Sequence, residues 1–325
     1  GQSMSGNVSS AFEWAATHIH RIRVHRQFRR HMGFYGNFEN PRTHQEKMQF
    51  RKIYGNHEFY ALAADKYRAR EYVAGRIGEQ YLVPLLAVHD RLEAQHFTAL
   101  PDRFIIKANH GCKWHQIVRD KRALDIAATV RRFNKYARAR YGRDSGERHY
   151  SFIKPKIVIE ELLEGNTGGC PWDYCFFSYN SPAGFDYSWA IVAPDGRGAA
   201  FTKDGELLGS TIPAHELAPH LDPDTFPQML QVARALSADF DFVRVDLYSV
   251  GNRVYFGELT CTPHQGYGLI KEPRRQKLRD EMWELDAYNP RLYNAPPAYG
   301  RGIHPNRRSL HRGPAIRRAD PLTGP

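Results

Sequence analysis

The sequence predicts a mixed α+β protein, and three observations support this fold class. The 325-residue chain is 42% hydrophobic and 25% charged, which are the proportions of an ordinary globular protein. Short runs rich in Ile, Val, Phe and Tyr follow Pro101, whereas helical periodicity dominates the chain before it. Strands and helices are thus largely segregated, which favours an α+β or mixed α/β arrangement over a strict βαβ winding.

The N-terminal third is predicted to be helical. Apolar residues recur at roughly helical spacing between residues 10 and 32, with arginine and histidine between them. Asn40-Pro41 then breaks the chain, and further helices are predicted at about 44–54, 65–75, 122–140 and 225–238. The apolar stripe of the first helix comprises Phe12, Ala15, Ala16, Ile19, Ile22, Phe28 and Met32.

The predicted strands are short and bounded by glycine, proline or polar turn residues. They are residues 104–108, 156–162, 174–179, 187–193, 241–248 and 253–259. The longest apolar run, residues 81–88, is far shorter than the ~20 residues needed to cross a bilayer. Together with the absence of a secretory pattern at the N-terminus, this favours a cytoplasmic protein.

The formal net charge of +11 is concentrated in two flanks. Residues 18–38 contain five arginines and no acid, residues 296–325 carry another +5, and +1 remains for the body. A basic groove through the core is therefore not evident, and no nucleic-acid partner is predicted. The N-terminal helix can either contact an anionic membrane surface or pack on the body with its arginines in water. The Pro-, Gly- and Arg-rich segment 296–325 is predicted to be a disordered basic tail.

The four cysteines do not suggest a disulfide framework, because they are few and irregularly spaced. Reduced thiols are the simpler interpretation. His110, Cys112 and His115 with Cys170 or Cys175 form an alternative zinc set, but structural zinc sites usually have two tight ligand pairs.

Residues 241–260 carry the strongest chemical pattern, two strands joined by a tight turn at Gly251-Asn252. Period-two alternation places alternate residues of each strand on one face. The residues on these faces are Arg244, Asp246 and Tyr248 on the first strand, and Phe256, Glu258 and Thr260 on the second.

If both faces look into one cleft, Asp246 and Glu258 oppose each other across adjacent strands. Two carboxylates at that separation repel unless a cation lies between them, and Mg²⁺ is commonly held by one or two carboxylates plus nucleotide phosphates. Arg244 is suited to a phosphoryl or acyl-phosphate oxygen. The pattern is equally compatible with a solvent-facing hairpin in which Arg244 pairs with Glu258.

Two other segments add weaker signals. An apolar strand ends at Lys107, where a flexible cation suits phosphate oxygens, although most such lysines face solvent. A second strand ends at the paired acids Glu160 and Glu161, and backbone groups of such a hinge can hydrogen-bond an adenine edge. An edge strand with solvated acids explains the second segment equally well.

The order of these pieces resembles the ATP-grasp fold, and more closely the TupA-like family associated with teichuronopeptide and other polysaccharide biosynthesis. The resemblance spans roughly residues 40–290, and the Arg-x-Asp and Glu-x-Thr series is its most specific part. The residues that carry it are Ala64-Asp65-Lys66-Tyr-Arg-Ala-Arg70-Glu-Tyr-Val, Tyr81-Leu-Val-Pro84-Leu-Leu, Leu100-Pro101, Phe104-Ile-Ile-Lys107-x-Asn-His110-Gly111, Ile159-Glu160-Glu161-Leu-Leu, Asp173-Tyr174, Arg244-Val-Asp246-Leu-Tyr and Phe256-Gly-Glu258-Leu-Thr260.

The resemblance implies a role for each matched position. Lys66 and Lys107 would contact the nucleotide phosphates, with a loop over residues 109–115, including His110, folding above them. Asp173 would reach the ribose, and Arg244 would steady the acyl-phosphate transition state. The adenine hinge would be Glu160, Glu161 and Leu163, and the Mg²⁺ site would be Asp246, Glu258 and Thr260.

Two positions depart from the family pattern. Cys175 stands where the family usually has a lysine, and the loop at 111–115 lacks the expected Ser-Gly pair. We hypothesise that Lys113 restores the missing charge. Residues 262–266 follow the metal strand and are expected to border the acceptor site.

Periodicity and charge predict a basic amphipathic helix at 1–39 and a helical region at 40–100. The resemblance implies that region 40–100 lies on the substrate side and that an ATP-grasp domain at 101–295 holds nucleotide between two α+β subdomains. The implied activity uses Mg²⁺ and ATP to join a carboxylate to an amine, giving an amide between an amino acid and a uronic acid. An ATP-grasp kinase and a catalytically weakened nucleotide- or membrane-binding scaffold remain open.

Overall fold

The computed structural model describes residues 4–268 and 270–294, with side chains from residue 15 onward. The described residues form helices connected by short loops and 3₁₀ turns. The helices are α1 (Met4–Met32), α2 (His44–Tyr54), α3 (His57–Ala64), α4 (Ala69–Ile77), α5 (Ile126–Arg138), α6 (Ala214–Leu217), α7 (Phe226–Ser237) and α8 (Pro273–Met282). The predicted basic tail lies outside the described residues.

Two antiparallel sheets make up the rest of the body. The smaller has the order β1-β4-β2-β3 and the larger has the order β10-β9-β5-β6-β7-β8. The strands are β1 (Leu85–His89), β2 (Phe104–Ala108), β3 (His115–Val118), β4 (Ile157–Glu161), β5 (Asp173–Ser181), β6 (Gly184–Val192), β7 (Gly198–Phe201), β8 (Leu207–Ser210), β9 (Phe242–Val250) and β10 (Arg253–Thr260). The predicted mixed α/β class is confirmed.

Each sheet has one face in a hydrophobic core, and its other face borders a shared cleft. On the large sheet this second face also carries a smaller apolar cluster that includes Phe177 and Trp283. Phe104 and Ile106 of β2 pack with Phe133 of α5, whereas Ile105 and Lys107, which alternate with them, line the cleft. In the large sheet, Val245 and Leu247 belong to the main core, which also contains residues of α2, α3, α4 and α7. Alternation therefore directs the polar residues of β9 into the cleft.

The helix predicted at 65–75 is wrong at its start, because the chain turns at Asp65. The carboxylate of Asp65 accepts the backbone N–H of Tyr67 at 2.9 Å and that of Arg68 at 3.2 Å, so α3 ends before it and α4 begins at Ala69. Such local side-chain bonds compete with a continuous helix. The turn leaves Lys66 outside both helices and on the cleft wall.

The apolar stripe predicted for α1 is partly wrong. Among its described side chains, which begin at residue 15, the buried ones are His20, Val24 and Phe28, at i, i+4 and i+8. Ile19 is 60% and Ile22 is 41% exposed, and the predicted side chain of Phe12 lies outside the described ones. The buried face packs on α2, where a His20 ring nitrogen lies 2.8 Å from the Lys52 carbonyl oxygen. A histidine thus takes a core position that the periodicity assigned to isoleucine.

Candidate active site

A cleft of about 680 Å³ lies between the two sheets. The small sheet contributes β2, β3 and the end of β4, and the large sheet contributes β5, β6, β9 and β10. The predicted site residues that line it are Lys66, Lys107, Lys113, Glu160, Glu161, Leu163, Asp173, Arg244, Asp246 and Glu258. The tertiary fold therefore brings most of the predicted site together.

The β9–β10 hairpin supplies the floor of this cleft. Its two-residue turn has Gly251 and Asn252 at φ 55° and 59°, and the register pairs Glu258 with Asp246 and Thr260 with Arg244. The two carboxylates are therefore direct cross-strand neighbours on one face, as predicted.

Phe256 does not share that face, which corrects the prediction. The register shifts between Phe256 and Glu258, so that Phe256 pairs with Leu247 and joins it in the main core. The extra residue at this β-bulge is Gly257. A side-chain carbon there would lie only 3.0 Å from the Asp246 carbonyl oxygen, so the close strand approach favours glycine.

Arg244 connects the acids of the cleft floor. Its Nε and Nη2 donate to Asp246 at 2.8 and 2.5 Å, and Nη2 also lies 3.0 Å from Glu258 Oε1. The Thr260 hydroxyl accepts from Arg244 at 3.2 Å and donates to Glu258 at 3.0 Å. The Arg244–Glu258 ion pair weighed as an alternative is therefore present, but inside the cleft rather than on a solvent-facing hairpin.

The cleft floor is short of positive charge. Burial, followed by the charges of Asp246 and Glu258, raises the pKa of Asp173 to about 7, and burial raises the pKa of Asp246 to about 6. Burial also opposes the ionisation of Glu258, but the charges of Lys66 and Arg244 outweigh it and lower the pKa of that carboxyl. An added cation would therefore favour ionisation of all three groups.

The donor set fits a magnesium ion that shares its ligands with phosphate. Within residues 4–268 and 270–294, no group of three or more His, Cys, Asp or Glu side chains has the arrangement of a metal cage. Mg²⁺ needs only one or two carboxylates when a nucleotide supplies the remaining oxygens. The Glu258 side chain is 41% exposed toward the cleft, so it remains accessible to such an ion.

Three cations from different parts of the chain line the cleft wall opposite this floor. Lys107 Nζ lies 2.5 Å from Glu160 Oε2, and Arg70 Nη1 lies 3.1 Å from Glu160 Oε1. Lys66 Nζ donates to the Gly111 carbonyl at 2.8 Å. Arg70 also lines the cleft, although the sequence did not predict it as a site residue. The available signal was its place in the motif at residues 64–73 that carries the family resemblance.

The loop between β2 and β3 is anchored from outside the cleft. Trp114 stacks on Tyr136 of α5, with ring centroids 4.8 Å apart. His110 is buried beneath the loop, its ring nitrogens 3.2 Å from Asn109 Oδ1 and the Ala139 carbonyl, and does not line the cleft. Burial explains this correction, since both nitrogens already have protein partners. Lys113 is exposed at the loop tip, with φ 60°.

A family model described as TupA-like ATPgrasp matches residues 46–278, which is well over half of the chain. The chain belongs to the TupA-like ATP-grasp family. The family predicted from the sequence motifs is thereby confirmed. No protein with a curated description matches the chain.

Several solved ligase structures overlap with this ATP-grasp protein at low identity. D-alanine-D-alanine ligase from Helicobacter pylori is 16% identical, with a TM-score of 0.42, over 69% of this chain and 61% of that one. The Bacillus anthracis enzyme is 13% identical, with a TM-score of 0.39, over 64% and 61%. N5-carboxyaminoimidazole ribonucleotide synthetase from Thermus thermophilus is 12% identical, with a TM-score of 0.35, over 62% and 45%. The chain thus spans about three fifths or less of these proteins, and such overlaps carry no argument about substrates.

One end of the ATP-grasp cleft lies where β4 leaves the sheet, which is the segment predicted as the adenine hinge. The ladders of β4 end at Glu161, so Leu162 and Leu163 line the cleft with backbone groups outside both ladders. Asp173, at the start of β5, is half-buried, lines the cleft and is paired with Tyr248 across β5 and β9. The apolar residues Ile105 and Ile117 line the same cleft.

Cys175 is paired with Asp246 across β5 and β9 in this ATP-grasp protein. The side chain is 4% exposed, and burial followed by the charge of Asp246 raises the pKa of its thiol well above the usual range. It therefore contributes a neutral thiol to the cleft floor. The predicted zinc set is not assembled among the described residues.

Proposed function

We propose that this protein is a Mg-ATP-dependent carboxylate–amine ligase. The observation that carries the proposal is the cross-strand pair Asp246 and Glu258, bridged by Arg244 at the floor of a cleft whose facing wall bears Lys66 and Lys107. Two carboxylates that share one guanidinium retain net negative charge, which suits a divalent cation. The lysines suit the phosphates that accompany such a cation.

The residues of the cleft have separable roles in this proposal. Lys66 and Lys107 bind the phosphates, and the backbone at Glu161 and Leu163 binds the adenine edge. Asp246 and Glu258 would hold Mg²⁺, which neutralises developing charge on the transferred phosphoryl group. Arg244 can release one carboxylate contact and donate to an oxygen of the acyl phosphate.

The overall reaction follows the family. The terminal phosphoryl group of ATP passes to a substrate carboxylate, ADP leaves, and an amine then displaces phosphate to give an amide. We propose that this amide joins an amino acid to a uronic acid in bacterial polysaccharide biosynthesis, in the cytoplasm.

Thermal unfolding with and without Mg-ATP tests the nucleotide site. A ligand at about a hundred times its dissociation constant stabilises the folded state by roughly 2.7 kcal/mol. We expect stabilisation that needs Mg²⁺ and is lost in Asp246→Asn and Glu258→Gln. Asp204→Asn, an exposed acid on the same domain, should respond like the wild type. No response to any nucleotide in the wild type would refute the proposal.

An ATP-grasp kinase is the second enzymatic candidate, because the same cleft floor serves phosphoryl transfer to a hydroxyl. The two reactions differ in what phosphate release requires. A ligase releases inorganic phosphate only when both carboxylate and amine are present, whereas a kinase leaves the phosphoryl group on its product.

A membrane-associated role for α1 is suggested by its exposed face. Ile19 and Ile22 are exposed beside Arg26 and Arg29, and Tyr35 beyond the helix is 68% exposed. No helix among the described residues is long and apolar enough to cross a membrane. Sedimentation with phosphatidylglycerol vesicles tests contact at the surface: binding should weaken in the double variant Ile19→Ser/Ile22→Ser and be absent with neutral vesicles. Binding without ATP turnover would favour the scaffold alternative.

A further inference from the structure

Helix α8 borders the cleft and carries two arginines on the side that faces the large sheet. Leu278 and Met282 pack against the cluster that contains Cys175 and Phe177, so this side of the helix faces the large sheet. Arg275 lines the cleft, and Arg279, one turn further along, lies with its guanidinium carbon 3.7 Å from the Phe177 ring centroid. Residues four apart share a helix face, where like charges repel.

Neither guanidinium has an anionic partner among the described residues. In that part of the chain no carboxylate lies within 4.0 Å of either one, and the Nε of Arg279 has no hydrogen-bond partner although the residue is only 6% exposed. Neighbouring Arg274, by contrast, pairs with Glu206 at 2.5 Å. A buried, uncompensated charge is costly, which indicates that a ligand supplies the missing anion.

His264 reaches the same end of the cleft from a strained loop. Its φ of 51° and that of Gln265, 59°, lie in the left-handed region that non-glycine residues rarely adopt. The loop is held by Gln49, whose side chain donates to the Gly266 carbonyl at 3.0 Å. Strain of this kind persists where the surroundings impose it, and it clusters at functional sites.

We propose that Arg275, Arg279 and His264 form an anion subsite that binds a non-reacting carboxylate of the amine substrate. The amine that enters the cleft is then an amino acid rather than ammonia or an amino sugar. This inference rests on the proposed ligase function.

The position of the subsite separates this carboxylate from the reacting one. The reacting carboxylate must meet the phosphoryl group beside Asp246 and Glu258, where Arg244 already provides a guanidinium. Lys66, Lys107 and Lys113 are already assigned to the nucleotide phosphates, so the positive pair on α8 is left for a different anion. Arginine suits carboxylate because its planar fork can donate two parallel hydrogen bonds.

Thermal unfolding with glutarate tests the subsite without turnover. Glutaramide serves as the neutral isostere, sodium chloride matches the ionic strength, and inorganic phosphate is the competing anion. We expect glutarate to stabilise the wild type and glutaramide not to. Arg275→Gln, which changes a half-buried residue and should fold, should raise the apparent Kd for glutarate by about tenfold or more. The matched control Arg274→Gln should leave it unchanged.

The Mg-ATP response in the same variants separates this inference from the proposed function. Arg275→Gln should keep that response while losing the response to glutarate. Equal glutarate binding in the wild type and Arg275→Gln would overturn the subsite, as would stabilisation by phosphate alone. A glutarate response without any Mg-ATP response would support the subsite and count against the ligase. In turnover assays, Arg275→Gln should raise KM for the amino acid and leave KM for ATP unchanged.

Discussion

Arg244 and Asp246, two residues apart on β9, form a two-point ion pair in which Nε lies 2.8 Å from Oδ1 and Nη2 lies 2.5 Å from Oδ2. The Asp246 side chain is 5% exposed and that of Arg244 is 16% exposed. Extended geometry directs both side chains to the same face, so the pair is set by local sequence. Its surroundings, however, come from residues far away in sequence, because β5 places Phe177 and Cys175 beside Arg244 and Asp246 in the sheet.

Replacing Arg244 with glutamine should destabilise the ligand-free protein in a pH-dependent way. At about pH 8 the variant leaves the Asp246 carboxylate buried and unpaired, at a cost of about 3 kcal/mol. Near pH 5 the cost should be smaller, because a carboxyl with a pKa of about 6 takes up a proton. Urea unfolding at both pH values measures this, and an equal loss at both would contradict it. Arg244→Lys should keep most of the stability.

The raised pKa of Asp173 predicts a second pH effect. The pKa of this carboxyl rises from 3.8 in the unfolded chain to about 7 in the folded protein. Its contribution to the free energy of unfolding is therefore fully present below pH 3.8. That contribution is lost as the pH rises through the folded pKa. Buried His20, His57 and His149 oppose the trend, since burial lowers their pKa values. The test is therefore the difference in the free energy of unfolding between the wild type and Asp173→Asn, which should change between pH 4 and pH 7. The corresponding difference for Asp204→Asn should not change over that range.

Gly257→Ala should disturb the metal site through the bulge. The added carbon would lie 3.0 Å from the Asp246 carbonyl oxygen and 3.2 Å from a Tyr248 ring carbon, and such overpacking costs about 1–3 kcal/mol. We also expect a weaker Mg-ATP response, because Glu258 follows directly. In the control Gly75→Ala the carbon meets nothing within 4 Å, and the helix should gain about 0.5–1 kcal/mol. Similar stabilities for the two variants would show that the bulge tolerates a side chain.

Asp241 should be the most sensitive acid outside the cleft. It is 2% exposed, lies 2.5 Å from Arg51 Nη2 and accepts from the Tyr293 hydroxyl at 2.7 Å. Asp241→Ala leaves the Arg51 charge buried and should cost about 3–5 kcal/mol in chemical denaturation. Glu206→Ala breaks the exposed pair with Arg274 and should not measurably change the midpoint. Comparable losses for both would contradict the role assigned to burial.

Lys113→Ala should weaken ATP binding if Lys113 supplies the positive charge that the family usually has as a lysine at the position of Cys175. The side chain is exposed at the loop tip and lines the cleft, so its removal should not unfold the protein. We expect the Kd for Mg-ATP to rise about tenfold, the effect of one charge-assisted contact. Titration calorimetry with Lys203→Ala as the exposed-lysine control measures this, and an unchanged Kd would eliminate the role.

Local patterns predicted the elements whose determinants are close in sequence. Helix α2 was predicted at its observed bounds, and its start is fixed by Thr43 and Glu46, which form a reciprocal capping box. The β9–β10 hairpin follows from Gly251-Asn252, both of which adopt positive φ. Strands β1, β3, β7 and β8 were missed, because they are short and lack a sustained run of strand-forming residues.

The sequence by itself determined the family, the mixed α/β class, and the cross-strand placement of Asp246 and Glu258. These depend on motif order and on a two-residue turn, both readable along the chain. Only the tertiary structure decided that Phe256 joins the main core, that His110 is buried, and that Arg70 reaches Glu160. It also decided that Arg275 of α8 lines the cleft, and that neither Arg275 nor the buried Arg279 has an anionic partner among the described residues. The physical reason is that a bulge, burial and ion pairing depend on partners far away in sequence, which no local periodicity specifies.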